Sequence, residues 1–134
     1  MTDDPIDPRL QEIAQRVFDA ARAGDADTLT AYLDAGVPVN LTNGSGDTLV
    51  MLAAYHGHAP AVQVLIDRGA DVDRLNNRGQ SPVAGAIFKG EEDVVRVLAA
   101  AGADPRAGHP TAVDAAGLFG REDYLALWDG TTTR

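Results

Sequence analysis

Glycine recurs along this chain at a fixed interval. Gly36, Gly69 and Gly102 stand 33 residues apart, and so do Gly24, Gly57 and Gly90, and the pair Gly46 and Gly79. The apolar pattern between them keeps the same step: "LVMLAAYHG" aligns with "PVAGAIFKG", and "AVQVLIDRGAD" with "VVRVLAAAGAD". Three glycine registers sharing one period describe a stacked array of like supersecondary units, none of which buries its apolar face without a neighbour.

Each unit reads as two short helices and a turn. Thr48 and Ser81 are good N-caps, and Pro82 sits in the first turn, where its missing N–H costs nothing. The helix that follows is short and alanine-rich, which lets neighbours approach closely, and a glycine stops it. A second helix opens with acids in "GEED" and "GRED", whose carboxylates suit the helix dipole and read as caps. "VQVLI" and "VVRVL" supply its apolar face, and "RGAD" and "AGAD" turn the chain out toward the next unit.

A 33-residue unit with a T-P-L-H-like element and a V-x-x-L-L-x-x-G-A-D-like ending resembles the ankyrin repeat. The first element reads "TLVM" from Thr48, "SPVA" from Ser81 and, degenerately, "TAVD" from Thr111. The resemblance implies an all-α solenoid of about four units with modified end caps, at about 8–39, 40–72, 73–105 and 106–130. A short acidic tail at 1–7 and another tail at 131–134 flank this single domain.

Both ends depart from the repeat. Leu10, Ile13, Ala14, Val17, Phe18 and Ala21 keep helical spacing, and Asp7 with Pro8 makes a start signal. A long first helix with a wet outer face is expected, standing in for a missing previous unit. At the other end Gly120 stands three residues early, so the last hairpin, around "RAGHPT", is shortened and should project less than its predecessors. Trp128 then falls where the repeat places a core leucine, and its ring is expected to close the stack.

Composition narrows the function classes. With 134 residues, 45% of them hydrophobic, the chain buries one modest core. No stretch approaches the roughly 20 apolar residues of a membrane span, and "MTDDPIDPRL" is acidic where a secretory signal is basic, so a cytoplasmic protein is expected. The absence of cysteine excludes disulfides, thiolate zinc sites and cysteine nucleophiles. A formal charge of −9 repels phosphate backbones and anionic lipid, so neither nucleic acid nor membrane is the expected partner. One lysine, Lys89, against ten arginines, with abundant alanine, points to a GC-rich bacterial genome.

No catalytic constellation assembles from the residues. His56, His58 and His109 lack a Ser-His-Asp order or a phosphate loop around them. His56 ends one helix and His58 begins the next across a glycine bend, so their rings should diverge rather than share a metal. Histidine at the His58 position is also structural in the family that this chain resembles. "NGSGD" lacks the spaced carboxylates of a calcium loop and reads as a hairpin tip. No enzyme activity, metal or cofactor is expected.

The resemblance implies partner binding through the hairpin tips and the inner helices, which line one concave face. In register, the tips are 41–45, with Leu41 and Thr42, and 74–78, with Arg74, Leu75 and Arg78. The residues before each central glycine are Tyr55 and His56, Phe88 and Lys89, then Leu118 and Phe119; the first unit contributes Arg22 and Ala23. Tyr55, Phe88 and Leu118 thus make an apolar stripe, of the kind that marks an interaction site. Alternatively, these side chains pack on their neighbours and shield the alanine-rich helices. Arg22, Arg74, Arg78 and Lys89 map to this face, with Asp47 its main acid, whereas Asp25, Asp27, Glu91, Glu92 and Asp93 map outside. The expectation is a monomeric, non-catalytic adaptor, inhibitor or assembly factor that binds another protein carrying an acidic segment with apolar anchors. Small-molecule or nucleic-acid binding is the alternative, and a metal-dependent enzyme a more distant one. The amino-terminal three units are expected to carry most of the binding face.

Overall fold

The computed structural model describes residues 8–129. The tails expected at 1–7 and 131–134 lie outside the described residues, as do Asp7 and Gly130. Antiparallel helix pairs follow one another along the chain: α1 (Pro8–Ala23) with α2 (Ala26–Asp34), α3 (Leu49–Tyr55) with α4 (Ala59–Asp67), and α5 (Pro82–Lys89) with α6 (Glu92–Ala100). A final pair joins α7 (Ala112–Leu118) to a 3-10 turn (Glu122–Leu125) that runs into α8 (Ala126–Asp129). The inner helices α1, α3, α5 and α7 pack in sequence against one another, and the outer helices α2, α4, α6 and α8 form a second row. The architecture is the all-helical solenoid expected, and no strand forms among the described residues.

The capping chemistry legible in the sequence sets where the inner helices begin. Thr48 Oγ1 accepts from Met51 N at 3.1 Å, Ser81 Oγ accepts from Ala84 N at 3.2 Å, and Thr111 forms a reciprocal capping box with Asp114. Thr48 and Ser81 are buried, so these bonds satisfy N–H groups that water does not reach. Helix α5 ends at Gly90, whose φ of 73° is the left-handed conformation that glycine adopts without a Cβ clash.

Between the rows lies one continuous core. Leu29, Leu49, Val62, Leu65, Ile87 and Leu98 are fully or almost fully buried in it. Each such side chain contributes about 1.5–3 kcal/mol over leaving it exposed. The ion pairs, by contrast, lie on the outside, such as Arg96–Glu92 at 2.9 Å and Arg22–Asp19 at 3.1 Å, where a pair is worth about 0–1 kcal/mol. Apolar stacking therefore decides the fold.

Three details differ from the sequence expectation. Leu10 and Ile13 of α1 stay exposed, bordering a hollow with Tyr32, Val37 and Leu41, although they keep the spacing of the buried Val17 and Ala21. The last outer helix is broken, and Tyr124 rather than Trp128 is its fully packed side chain; Trp128 is half-buried. Trp128 still closes the end of the stack, since its indole Nε1 donates to the Ala103 carbonyl at 2.7 Å. The connections read as hairpins are tight turns. Asn43 and Asn76 organise them alike, each side-chain oxygen accepting from two backbone N–H groups, Ser45 and Asp47 in one turn and Arg78 and Gln80 in the next. Beyond the Thr42–Thr48 bridge, no ladder extends them.

The shortened third connection does fold inward. His109 N donates to the Gly79 carbonyl at 2.8 Å, and Gly108 is buried against that loop. A Cβ built on Gly108 would stand 3.0 Å from the Gly79 oxygen and 3.1 Å from Ser81 N, so only glycine fits so close to that backbone.

Candidate functional site

The inner helices leave a shallow groove between their exposed ends. Tyr55 closes α3, Phe88 precedes the last residue of α5, and Leu118 closes α7, so equivalent positions in three successive units line it, together with Phe119. These side chains are exposed, Phe88 to 59% and Leu118 to 75%, so they are not core residues, although they also pack on one another. Phe88 and Phe119 meet edge to face, with ring centroids 5.2 Å apart. That contact is a favourable aromatic geometry and holds both rings at the groove wall.

Sequence spacing did not reveal the floor. Met51, Ala84, Gly85 and Ala115 line it, flanked by the exposed Gln80 and Pro110, and the groove holds a volume of about 210 Å³. Its depth comes from α5, which carries Ala84 and Gly85 where α3, one period earlier, carries Met51 and Leu52. The signal was there in the register, as a loss of side-chain volume at two neighbouring positions. Pro110 lines the groove because the third connection is short and folded inward. The groove consequently spans the second, third and fourth helix pairs.

The hairpin residues divide. Arg74, Leu75 and Arg78 are exposed at the second turn, as a contact surface requires. Leu41 and Thr42 are not: Leu41 is half-buried beside Leu10, Ile13 and Tyr32 in a separate hollow, and Thr42 is tied to Thr48 by the bridge. His56 is exposed and its ring stands edge-on to Tyr55, at 5.6 Å between centroids. His58 turns the other way, its Nε2 lying 2.8 Å from the Arg22 carbonyl oxygen, so the two imidazoles do diverge and His58 ties α4 to the end of α1.

Charge is segregated across the molecule. Arg16, Arg22, Arg68, Arg96 and Arg121 are each engaged by a carboxylate. Arg22, expected among the groove cations, is thus held by Asp19. Arg74, Arg78 and Lys89 form no ion pair among the described residues. The Lys89 ammonium instead lies 4.9 Å from the centre of the Tyr55 ring, at the lip of the groove. Asp47, the main acid on this side, accepts from Asn76 Nδ2 at 2.9 Å. On the outer side, hydrogen bonds from Thr28 hold the Asp25 carboxyl below its ordinary range, and Arg96 and Arg121 do the same for Glu92 and Asp123 respectively.

Residues 17–108 match the ankyrin-repeat family in three copies. The chain belongs to that family. A curated bacterial relative, the ankyrin repeat protein PA3287 of Pseudomonas aeruginosa, is 46% identical over 59 residues, which cover 42% of this chain and 34% of the relative. The matching segment is therefore about a third of the relative's length. Ankyrin repeats are protein–protein interaction modules, and the family is typically non-enzymatic. Among the described residues, no helix is long and apolar enough to cross a membrane.

Proposed function

We propose that this ankyrin-repeat chain is a non-catalytic binding module that recognises a partner protein through the groove between its inner helices and through the second hairpin turn. The observation that carries the reading is the row of exposed apolar side chains at equivalent positions, Tyr55, Phe88 and Leu118, on an otherwise acidic surface. A contiguous apolar strip with few polar groups is the usual centre of an interface, and charges around it set specificity and encounter. The cations around it favour a partner with an acidic segment and apolar anchors. The array over about 8–130 acts as one domain, as a monomer in the cytoplasm, serving as an adaptor, inhibitor or assembly factor.

The groove's size weighs against a small-molecule site, since about 210 Å³ is below the roughly 300–1,000 Å³ of drug-sized pockets. The net charge of −9 weighs against nucleic acid. The experiment is affinity capture from the native host with the Tyr55→Asp, Phe88→Asp double variant beside the parent. Loss of the captured protein with an unchanged thermal melt supports the groove; capture by a folded double variant places the binding face elsewhere.

A further inference from the structure

Lys89 is the single lysine of the chain, and like Arg74 and Arg78 it forms no ion pair among the described residues. The arginines of the outer helices meet carboxylates, whereas the Lys89 ammonium rests over the Tyr55 ring at 4.9 Å and pairs with no acid among the described residues. Cation–π contact orients the side chain along the groove lip without neutralising it. Immediately inside lies the apolar pocket of Tyr55, Phe88, Leu118 and Phe119, floored by Ala84 and Gly85. Its volume of about 210 Å³ suits one leucine- or phenylalanine-sized side chain. The acid on this side, Asp47, accepts from Asn76 and forms no ion pair with Lys89.

We infer that Lys89 determines specificity within this groove, selecting a partner segment in which one bulky apolar side chain is flanked directly by a carboxylate. The inference rests on the binding role proposed for the groove. The apolar side chain fills the pocket, the neighbouring carboxylate replaces the Tyr55 face as the partner of the ammonium, and Arg74 and Arg78 act on encounter from the hairpin turn. A desolvated charge pair at the edge of an apolar anchor discriminates more sharply than the anchor alone, because a partner lacking the acid leaves the ammonium without a counter-charge.

The probes are short blocked peptides with a central Phe, Leu or Ala, flanked on both sides by Glu or by Gln. Reductive 13C-methylation of the protein keeps the Lys89 charge and gives one lysine resonance, which the Tyr55 ring current displaces in the free state. Glu-flanked Phe and Leu peptides should move that resonance and bind on the order of tenfold more tightly than their Gln-flanked or Ala-centred counterparts. Lys89→Met should erase the advantage of Glu over Gln and keep that of Phe over Ala. Failure of every Glu-flanked peptide to bind overturns the inference, as does an undiminished Glu preference in Lys89→Met. Phe88→Asp separates the two levels. If it abolishes peptide binding while Lys89→Met keeps the Glu preference, only the Lys89 role fails; if a folded Phe88→Asp protein binds as the parent does, the groove reading itself fails.

Discussion

Asn76 Nδ2 donates to Asp47 Oδ1 at 2.9 Å, joining the second hairpin turn to the first across 29 residues of sequence. The same amide donates to Gln80 Oε1 at 2.8 Å, while its oxygen accepts from two backbone N–H groups of its own turn. Asn43 occupies the equivalent position one period earlier and organises its own turn, but Asn76 is buried and spans two. Replacing Asn76 by alanine should cost about 1–3 kcal/mol, and Asn43→Ala less, because only Asn76 is itself buried and also bonds Asp47 of the neighbouring turn. Urea unfolding midpoints of the two variants give the comparison, and equal costs would show that the inter-turn bond contributes nothing.

The C-terminal cap divides between two aromatic residues. Trp128 is half-buried with its indole N–H bonded to Ala103 O, so Trp128→Ala should cost about 3 kcal/mol, at the low end for a buried aromatic, and Trp128→Phe about 1 kcal/mol. Tyr124 is buried and its hydroxyl has no hydrogen-bond partner among the described residues. Tyr124→Phe should therefore leave the urea midpoint unchanged or raise it, since an unsatisfied buried hydroxyl is removed without creating a cavity. A clear drop would reveal a partner for that oxygen.

Gly85 lies inside helix α5, where glycine is destabilising. A Cβ there would lie 3.7 Å from Tyr55 Cδ1, an ordinary contact. Gly85→Ala should accordingly raise stability by about 0.5–1 kcal/mol, read from thermal melts. A destabilised variant would indicate that Tyr55 has no freedom to share the groove floor.

Acid sensitivity follows from the outer-side carboxylates. Asp25, Glu92 and Asp123 titrate below their ordinary range in the folded protein, because hydrogen bonds and guanidinium groups favour the charged form. Their contribution is present above the unfolded-state values and is lost as pH falls through the lowered folded values, so the melting temperature should decline below about pH 4. Asp25→Asn should flatten that decline while leaving the neutral-pH melt little changed, since asparagine also caps helices. An identical acid limb in the variant would remove Asp25 from the account.

Rim charge should act on rate. Reversing Arg74 and Arg78 to glutamate is expected to slow association with the captured partner and to alter the salt dependence of the on-rate, with little change in dissociation. Stopped-flow or surface binding at several ionic strengths measures both. A change confined to dissociation would move these arginines into the buried contact.

The sequence alone determined the repeat period, the capped starts of the inner helices at Thr48, Ser81 and Thr111, and the register that puts Tyr55, Phe88 and Leu118 on one face. These follow from local rules, because N-caps, glycine stops and a 33-residue recurrence act within a unit and repeat identically in the next. Tertiary structure alone decided what lies between units. Leu10 and Ile13 carry the same helical spacing as Val17 but stay exposed, so spacing does not tell buried from exposed there. Tyr124 took the core place at the last turn, where the outer helix breaks, and Pro110 joined the groove lining because a shortened connection folded onto Gly79. The engagement of Arg22 by Asp19, and the pose of Lys89 over Tyr55, likewise depend on which neighbour each charge reaches, a distance in space that a one-dimensional register does not contain.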